Sequence, residues 1–524
     1  MKPDSFLSLA LALIAWVPTA SAQQSRESLP TVVIKGGTLV DVRTGQQVVG
    51  SLIVVEGNRI KQVGRESDVV VPRDAQVIDA RDKWIIPGLM DMHAHITVAK
   101  NLPLGLYLAN GVTTIQDPGG DLTLMRLTRQ EIDAGKRPGP RLFFAGYVLD
   151  GNPPLWPEIS VIADTEGRAE SATNFLIDQG VDSIKVYNSI TEPVLVEIVR
   201  TAHARGIPVI GHVPRSMTMT RAVELGMDGL EHIRVTGREL LPLEEADKID
   251  FLPFVQREAL LWQRFDLDSD KMRELVSLLA ERKIFLDPTL TVDELSSLAS
   301  YEEQAKDPNN RFLPRDFINE AEAAPDVFRL PPELKDAAAA GFKKRLQFIG
   351  MCGRAGVQIL AGTDGVGTGT LLPGFGLQHE LELLAQAGLT PIQVLQAATI
   401  NGARLLKKDG ELGSVEAGKL ADLVILSASP LVDIRNTSKI DGVMLGGRLL
   451  DRKALDEMLA QAEAAARTSP RAVSALKPPA SSRRRRPPPA VARPGSAGAL
   501  PPAGATWRSR APSAPAAPCG GRTR

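Results

Sequence analysis

Eight times between residues 89 and 406 a short apolar run is followed by a helical stretch. The runs read GLMDMHAHI, GVTTIQD, RLFFAGYVL, VDSIKVY, PVIGHV, GLEHI, IFLDPTL and VQILAGTD. Strands that alternate with helices must run parallel, because each helix carries the chain back to the start of the next strand. Eight such units in one stretch predict a closed (β/α)8 barrel, an α/β fold whose chemistry sits at the C-terminal ends of the strands. Two connections, about 236–269 and 291–335, are too long for simple βα loops and are expected to act as substrate-facing lids.

The flanks of the barrel follow a different rhythm. From Thr31 to Leu89 β-rich runs alternate with Gly and Asn turns (TVVIKGGTLVD, SLIVVEGNRIKQVG, QVIDARDKWIIPGL), and strand character returns after the barrel in LADLVILSASP and DGVMLGGRLL. A chain that leaves a sheet, builds a barrel and comes back predicts one composite β-sandwich domain made from both ends, residues 23–88 and 407–455, around a barrel at 89–406. The opening MKPDSFLSLALALIAWVPTASAQQ has Lys2, an apolar run from Phe6 to Val17 and the small residues Ala20-Ser21-Ala22, the pattern of a signal peptide over 1–22. Export to the periplasm or beyond follows, with no stable membrane insertion once the peptide is cleaved.

The near-neutral net charge of -1 hides a split. Residues 467–524 hold 12 Lys and Arg and no Asp or Glu, so 49 basic residues face 62 acidic ones in the rest of the chain. The Pro/Ala/Arg-rich tail is expected to be disordered and to carry no specific nucleic-acid role, since it has few aromatics for base stacking. Cys352 and Cys519 are the only cysteines, which excludes a disulfide framework and a cysteine metal cage. Any metal must therefore use His and carboxylate ligands.

The chain has six histidines, and four of them, His93, His95, His212 and His232, fall at C-terminal ends of barrel strands, together with Lys185 and Asp364. In His93-Ala94-His95 the two imidazoles share one strand face, because strand residues alternate with period two, so both can hold one metal. Asp117 closes strand two beside a Gly-rich turn, and Tyr187 shares a strand face with Lys185; each is a candidate for supporting or substrate contact. His203 reads as structural. His379, in GLQHELELL, reads as supporting or packing more than ligating.

Read in order, PGLMDMHAHI, GVTTIQDPGG, SIKVY, GHV, GLEHI, AGTD and LGSVEAGKLADLVIL resemble the metal-dependent amidohydrolase superfamily, in its imidazolonepropionase-like and prolidase-like branch. The resemblance covers about residues 31–450. It implies a barrel with a composite β-sandwich domain and hydrolysis of amide-like bonds, for instance in a dipeptide or an N-acyl amino acid. It also implies two divalent ions, zinc favoured over manganese, iron or cobalt, with His93, His95 and Asp364 on one and His212 and His232 on the other. Lys185 would bridge them as a carbamate formed with carbon dioxide, and Asp364 would serve as general base and then general acid.

Some alternatives stay open. The same centre would cleave a lactone, another ester or a phosphoester, and a barrel that only binds its ligand is the remote alternative. Imidazolone ring opening is disfavoured, since it uses one metal and no bridging lysine. A small-molecule substrate is expected, and assembly into a homo-oligomer is compatible with the sequence. The stretches VPRSMTM after His212 and VYNSI after Lys185 depart from the Gly-rich turns of many prolidase-like relatives, which leaves the substrate open.

Overall fold

The computed structural model describes residues 30–97, 103–250, 252–298, 306–313, 330–365 and 372–468. The expected signal peptide and nearly all of the expected tail lie outside the described residues.

The eight apolar runs form parallel strands: Leu89–Asp91, Val112–Asp117, Arg141–Phe144 continued by Val148–Asp150, Ile184–Val186, Val209–Gly211, Gly229–Glu231, Phe285–Asp287 and Gln358–Ile359. We number them as barrel strands one to eight. Each pairs with the next in order. The ring closes between its ends: Ala94 bridges Gly365, Met92 N donates to Ala361 O at 2.9 Å, and Asp364 N donates to His93 O at 2.7 Å. Regular pairing spans only two to six residues of each run, because the chain then bends away at the rim; His232, Thr289 and Asp364 all take positive φ there (59°, 47° and 51°).

The helices between strands start at side-chain caps that satisfy otherwise unpaired N–H groups. Asp121 accepts from Leu124 N ahead of helix Leu122–Asp133, Thr165 from Arg168 N ahead of Glu166–Asp178, and Ser269 from Met272 N ahead of Asp270–Glu281. Their apolar faces pack on the strands in one large core that includes Ile115, Leu149, Ile184, Val186, Leu230 and Leu286.

Strands Val32–Val40, Gln47–Glu56, Arg59–Arg65, Gln76–Asp79 and Trp84–Pro87 join Leu423–Leu426, Ile440–Leu445 and Arg448–Asp451 in one eight-stranded sheet. The chain ends meet where Leu423–Leu426 runs antiparallel to Trp84–Pro87. Alternation along these strands serves two cores: Leu423, Ile425 and Ile85 pack with Ile34 and Ile53, whereas Val424, Leu426 and Ile86 belong to the barrel core.

The long connections, expected as substrate-facing lids, contain helices. The first is built from helices Gly237–Leu240, Leu243–Asp250 and Phe254–Arg264, and the second begins with Leu290–Ser297. The amphipathic sequence of Phe254–Arg264 buries Val255, Ala259, Leu261 and Trp262, so the first segment is a packed layer of the barrel; of the second, the described helix buries Leu290, Thr291 and Ser297. A further helix, Arg452–Thr468, follows the sheet and buries Leu455, Ala462 and Ala466. Among the described residues no helix is long and apolar enough to cross a membrane.

Gly211 ends strand five at φ 136°, and a Cβ there would meet Val186 O at 2.2 Å. That neighbour is backbone and cannot rotate away. Gly211→Ala is expected to cost about 2 kcal/mol of stability by overpacking, seen as a lower urea midpoint in circular dichroism; an unchanged midpoint would contradict this packing.

Candidate metal centre

The strand ends bring the ligand-type groups to one rim. His93 and His95 follow strand one, and Asp364 follows strand eight, held opposite them by the closing ladder. His93 Nε2 lies 3.4 Å and His95 Nε2 3.0 Å from Asp364 Oδ1. The rings of His93 and His232 are 5.1 Å apart, and those of His212 and His232 4.8 Å. His93, His232 and Asp364 offer ligand atoms that all lie within 4.8 Å of one another, as do His212, Glu231 and His232. His232 thus stands in both sets.

Strict alternation would send Glu231 and His232 to opposite faces of strand six. The left-handed backbone at His232 breaks the alternation, so both side chains reach the rim. Such a conformation costs about 1–3 kcal/mol at a non-glycine residue and persists where surrounding contacts hold it. Thr289, itself left-handed, places its hydroxyl 2.7 Å from His232 Nδ1. The other imidazoles are oriented the same way: His212 Nδ1 donates to Asn188 Oδ1 at 2.9 Å and His95 Nδ1 to Gly119 O at 2.9 Å. A carbonyl can only accept, so Nδ1 carries a proton in both rings; on His212, which burial keeps neutral, Nε2 is left as a ligand atom.

Lys185 is buried at the end of strand four, and its Nζ lies against the Glu231 carboxylate. Asp287, at the end of strand seven, is buried with neither oxygen hydrogen-bonded, 3.6 Å from His93 Nδ1, which is itself unpartnered. Buried polar atoms without partners are costly. Unpartnered carboxylate oxygens beside free imidazole nitrogens are the donor set a divalent cation satisfies, so these residues fit a metal.

The electrostatics agree. Burial holds His93, His212 and His232 well below the ordinary imidazole range, in the neutral form a metal needs. Burial opposes charge on His95 too, but Asp117 and Asp364 outweigh it and raise it to about 10. For Asp364 burial acts upward, and the His93 and His95 rings beside it prevail, holding it at about 2. Burial raises Asp287 to about 7 and lowers the Lys185 amine to about 7.

Asp117 accepts from Ile96 N (3.0 Å) and Gly119 N (3.2 Å), fixing the turn whose carbonyl holds His95. Tyr187 stacks on His212 at 4.1 Å and its hydroxyl accepts from Trp156 Nε1 at 3.0 Å. His379 is not brought to the cluster: it is half exposed and pairs with Glu294 at 2.5 Å, because its face of helix Phe375–Gln386 points outward. His203 pairs with Asp228 at the surface. Glu231, Asp287 and Thr289 were not singled out from the sequence. Asp287 carried the signal already used for Asp364, a carboxylate at a strand end; Glu231 did not, because alternation places it away from His232.

A model of the Amidohydrolase family matches residues 84–450. The chain belongs to the Amidohydrolase family. It is 24% identical over 426 residues to the imidazolonepropionase of Shouchella clausii, covering 76% of this chain and 85% of that one. It is 21% identical over 444 residues to adenine deaminase 4 of Rhizobium meliloti, 82% of this chain but only 58% of that relative. Among solved structures, bottromycin amidohydrolase superposes with a TM-score of 0.67 at 25% identity, covering 83% of this chain and 90% of that one. A Xaa-Pro dipeptidase with bound methionine gives 0.59 at 22%, covering 80% and 100%, a likeness of fold. This amidohydrolase is a metal-dependent hydrolase of carbon–nitrogen bonds.

Replacing Thr289 by the near-isosteric Val removes the His232 hydrogen bond and little else. Metal affinity is expected to fall 10–100-fold, as for other lost orienting contacts, measured by zinc titration against a chelating indicator. Wild-type affinity would contradict the orienting role.

Proposed function

We propose that the enzyme cleaves the amide bond of a dipeptide or an N-acyl amino acid at a centre of two divalent ions, zinc first among them. The observation that carries this is the convergence of His93, His95, Lys185, His212, His232 and Asp364 on one barrel rim. On this reading His93, His95 and Asp364 would hold one ion and His212 and His232 the other, with Lys185, as a carbamate, a shared ligand. When bound, the ions would supply an activated water and polarise the scissile carbonyl.

The chain's own groups do the rest. Burial lowers the Lys185 amine to about 7, so much of it is neutral near pH 7 and free to add carbon dioxide. A nitrogen–carbon bond forms and one proton leaves, for which the Glu231 carboxylate against Nζ is the neighbouring acceptor. Asp364 is a carboxylate at neutral pH and takes the proton of the attacking water. It then passes that proton to the departing nitrogen. His95 and His93, on either side of Asp364 Oδ1, keep it aimed into the site.

The dipeptide reading draws on the Xaa-Pro dipeptidase fold neighbour, and an imidazolone ring is the second reading, favoured by the match to imidazolonepropionase. Residues 1–22 support work outside the cytoplasm.

Asp364→Asn is expected to lower kcat at least 100-fold, the lower range for a lost acid–base group, in a screen of dipeptides and N-acyl amino acids with zinc-loaded enzyme. Lys185→Ala should lose metal and activity together and recover both with a short carboxylic acid such as formate. Near wild-type turnover in Asp364→Asn, or full metal content in Lys185→Ala, would overturn these roles.

A further inference from the structure

Arg234 stands two residues beyond His232 in the run EHIRVTG, at the rim where strand six ends. Its charge bears on the cluster: after burial it is the largest influence lowering His232, and it also acts on His212 and Lys185. Its guanidinium lies over the Phe254 ring at 4.1 Å, on the first residue of helix Phe254–Arg264 in the inserted layer.

Three guanidiniums and two carboxylates meet behind this rim. Arg257 donates to Glu258 Oε1 at 3.1 Å. Arg345 donates to Glu258 Oε2 at 2.9 Å and lies 3.6 Å from Asp293. Both carboxylates are thus taken by the other two arginines. Among the described residues Arg234 has no carboxylate within ion-pair distance, and its buried Nε has no hydrogen-bond partner. A guanidinium cannot shed its charge at neutral pH, and that of Arg234, partly buried with only its Nε fully enclosed, keeps a charge that no carboxylate among the described residues pairs directly. One positive charge is left over two residues past His232, stacked on Phe254.

We propose that Arg234 receives the carboxylate of the substrate, so that the enzyme selects compounds with a free carboxylate close to the scissile amide. The excess is a single charge, which suits a carboxylate better than a doubly charged phosphate. The planar fork of arginine matches the two carboxylate oxygens, and stacking on Phe254 holds its plane. This assignment rests on the amide-hydrolase reading above and narrows it to substrates such as N-acyl amino acids and dipeptides with a free C-terminus.

The test pairs each substrate with its C-terminal carboxamide, in the zinc-loaded wild type, Arg234→Gln and Arg234→Lys. The wild type should favour the free acid in kcat/KM by about 10–100-fold, the range of one hydrogen bond to a charged group. In Arg234→Gln that preference should collapse, with the loss carried mainly by KM, and Arg234→Lys should restore part of it. Zinc content and melting temperature identify a variant that has not folded, and then Arg234→Lys and the wild-type preference decide. No preference in the wild type, or one that survives Arg234→Gln, would overturn the proposal. Should no pair be hydrolysed, the amide-hydrolase reading fails separately. Calorimetric binding of N-acetyl-L-alanine against N-acetyl-L-alaninamide then decides: tighter binding of the acid, lost in Arg234→Gln, supports the role, and equal binding refutes it.

Discussion

Closure of the parallel ladder between strands one and eight is the constraint on which the rest depends. The bond from Asp364 N to His93 O and the bridge from Ala94 to Gly365 bring together residues some 270 positions apart in the chain. Asp91 ties the same seam from below, its carboxylate accepting from Thr363 N, Thr363 Oγ1 and His93 N. Gly362 lets the seam close, since a Cβ there would meet Asp287 Oδ2 at 2.3 Å and His93 Cβ at 2.7 Å. Without closure, His93 and His95 would have no Asp364 to face.

What closure creates is a concentration of groups that water would otherwise solvate. Four imidazoles, an amine and three carboxylates share a rim where burial moves most of their proton affinities in the direction of the neutral form. Asp364 and His95 are the exceptions, because Asp117 and Asp364 flank His95 while His93 and His95 flank Asp364. Left-handed backbone at His232, Thr289 and Asp364 adds strain to that cost. A site assembled against such penalties fits an ion, and on the proposal above the unpaired charge of Arg234 would add selectivity for a carboxylate.

Much of this was legible in the sequence. Eight apolar runs and their spacing predict the barrel, and ligand-type residues at strand ends pick out His93, His95, Lys185, His212, His232 and Asp364. Alternation fails as a guide where the backbone turns left-handed, which is why Glu231 stayed hidden beside His232. The inserted segments read as lids with no marked helices, and in the first the helices are short and separated at Pro242 and Pro253. Arg234 carried no motif; its meaning lies in the two carboxylates that other arginines occupy, and pairing of that kind is invisible before the chain is folded. His379 looked like a candidate by position, and only the outward face of its helix gives it to Glu294.

The central claim is that the rim holds a bridged pair of divalent ions. Elemental analysis of the chain lacking residues 1–22, purified without chelator and with bicarbonate present, tests it most directly. The account predicts close to two divalent metals per chain, falling together when Lys185 is replaced by Ala. One metal or none after attempted reconstitution, or two that persist without Lys185, would contradict it.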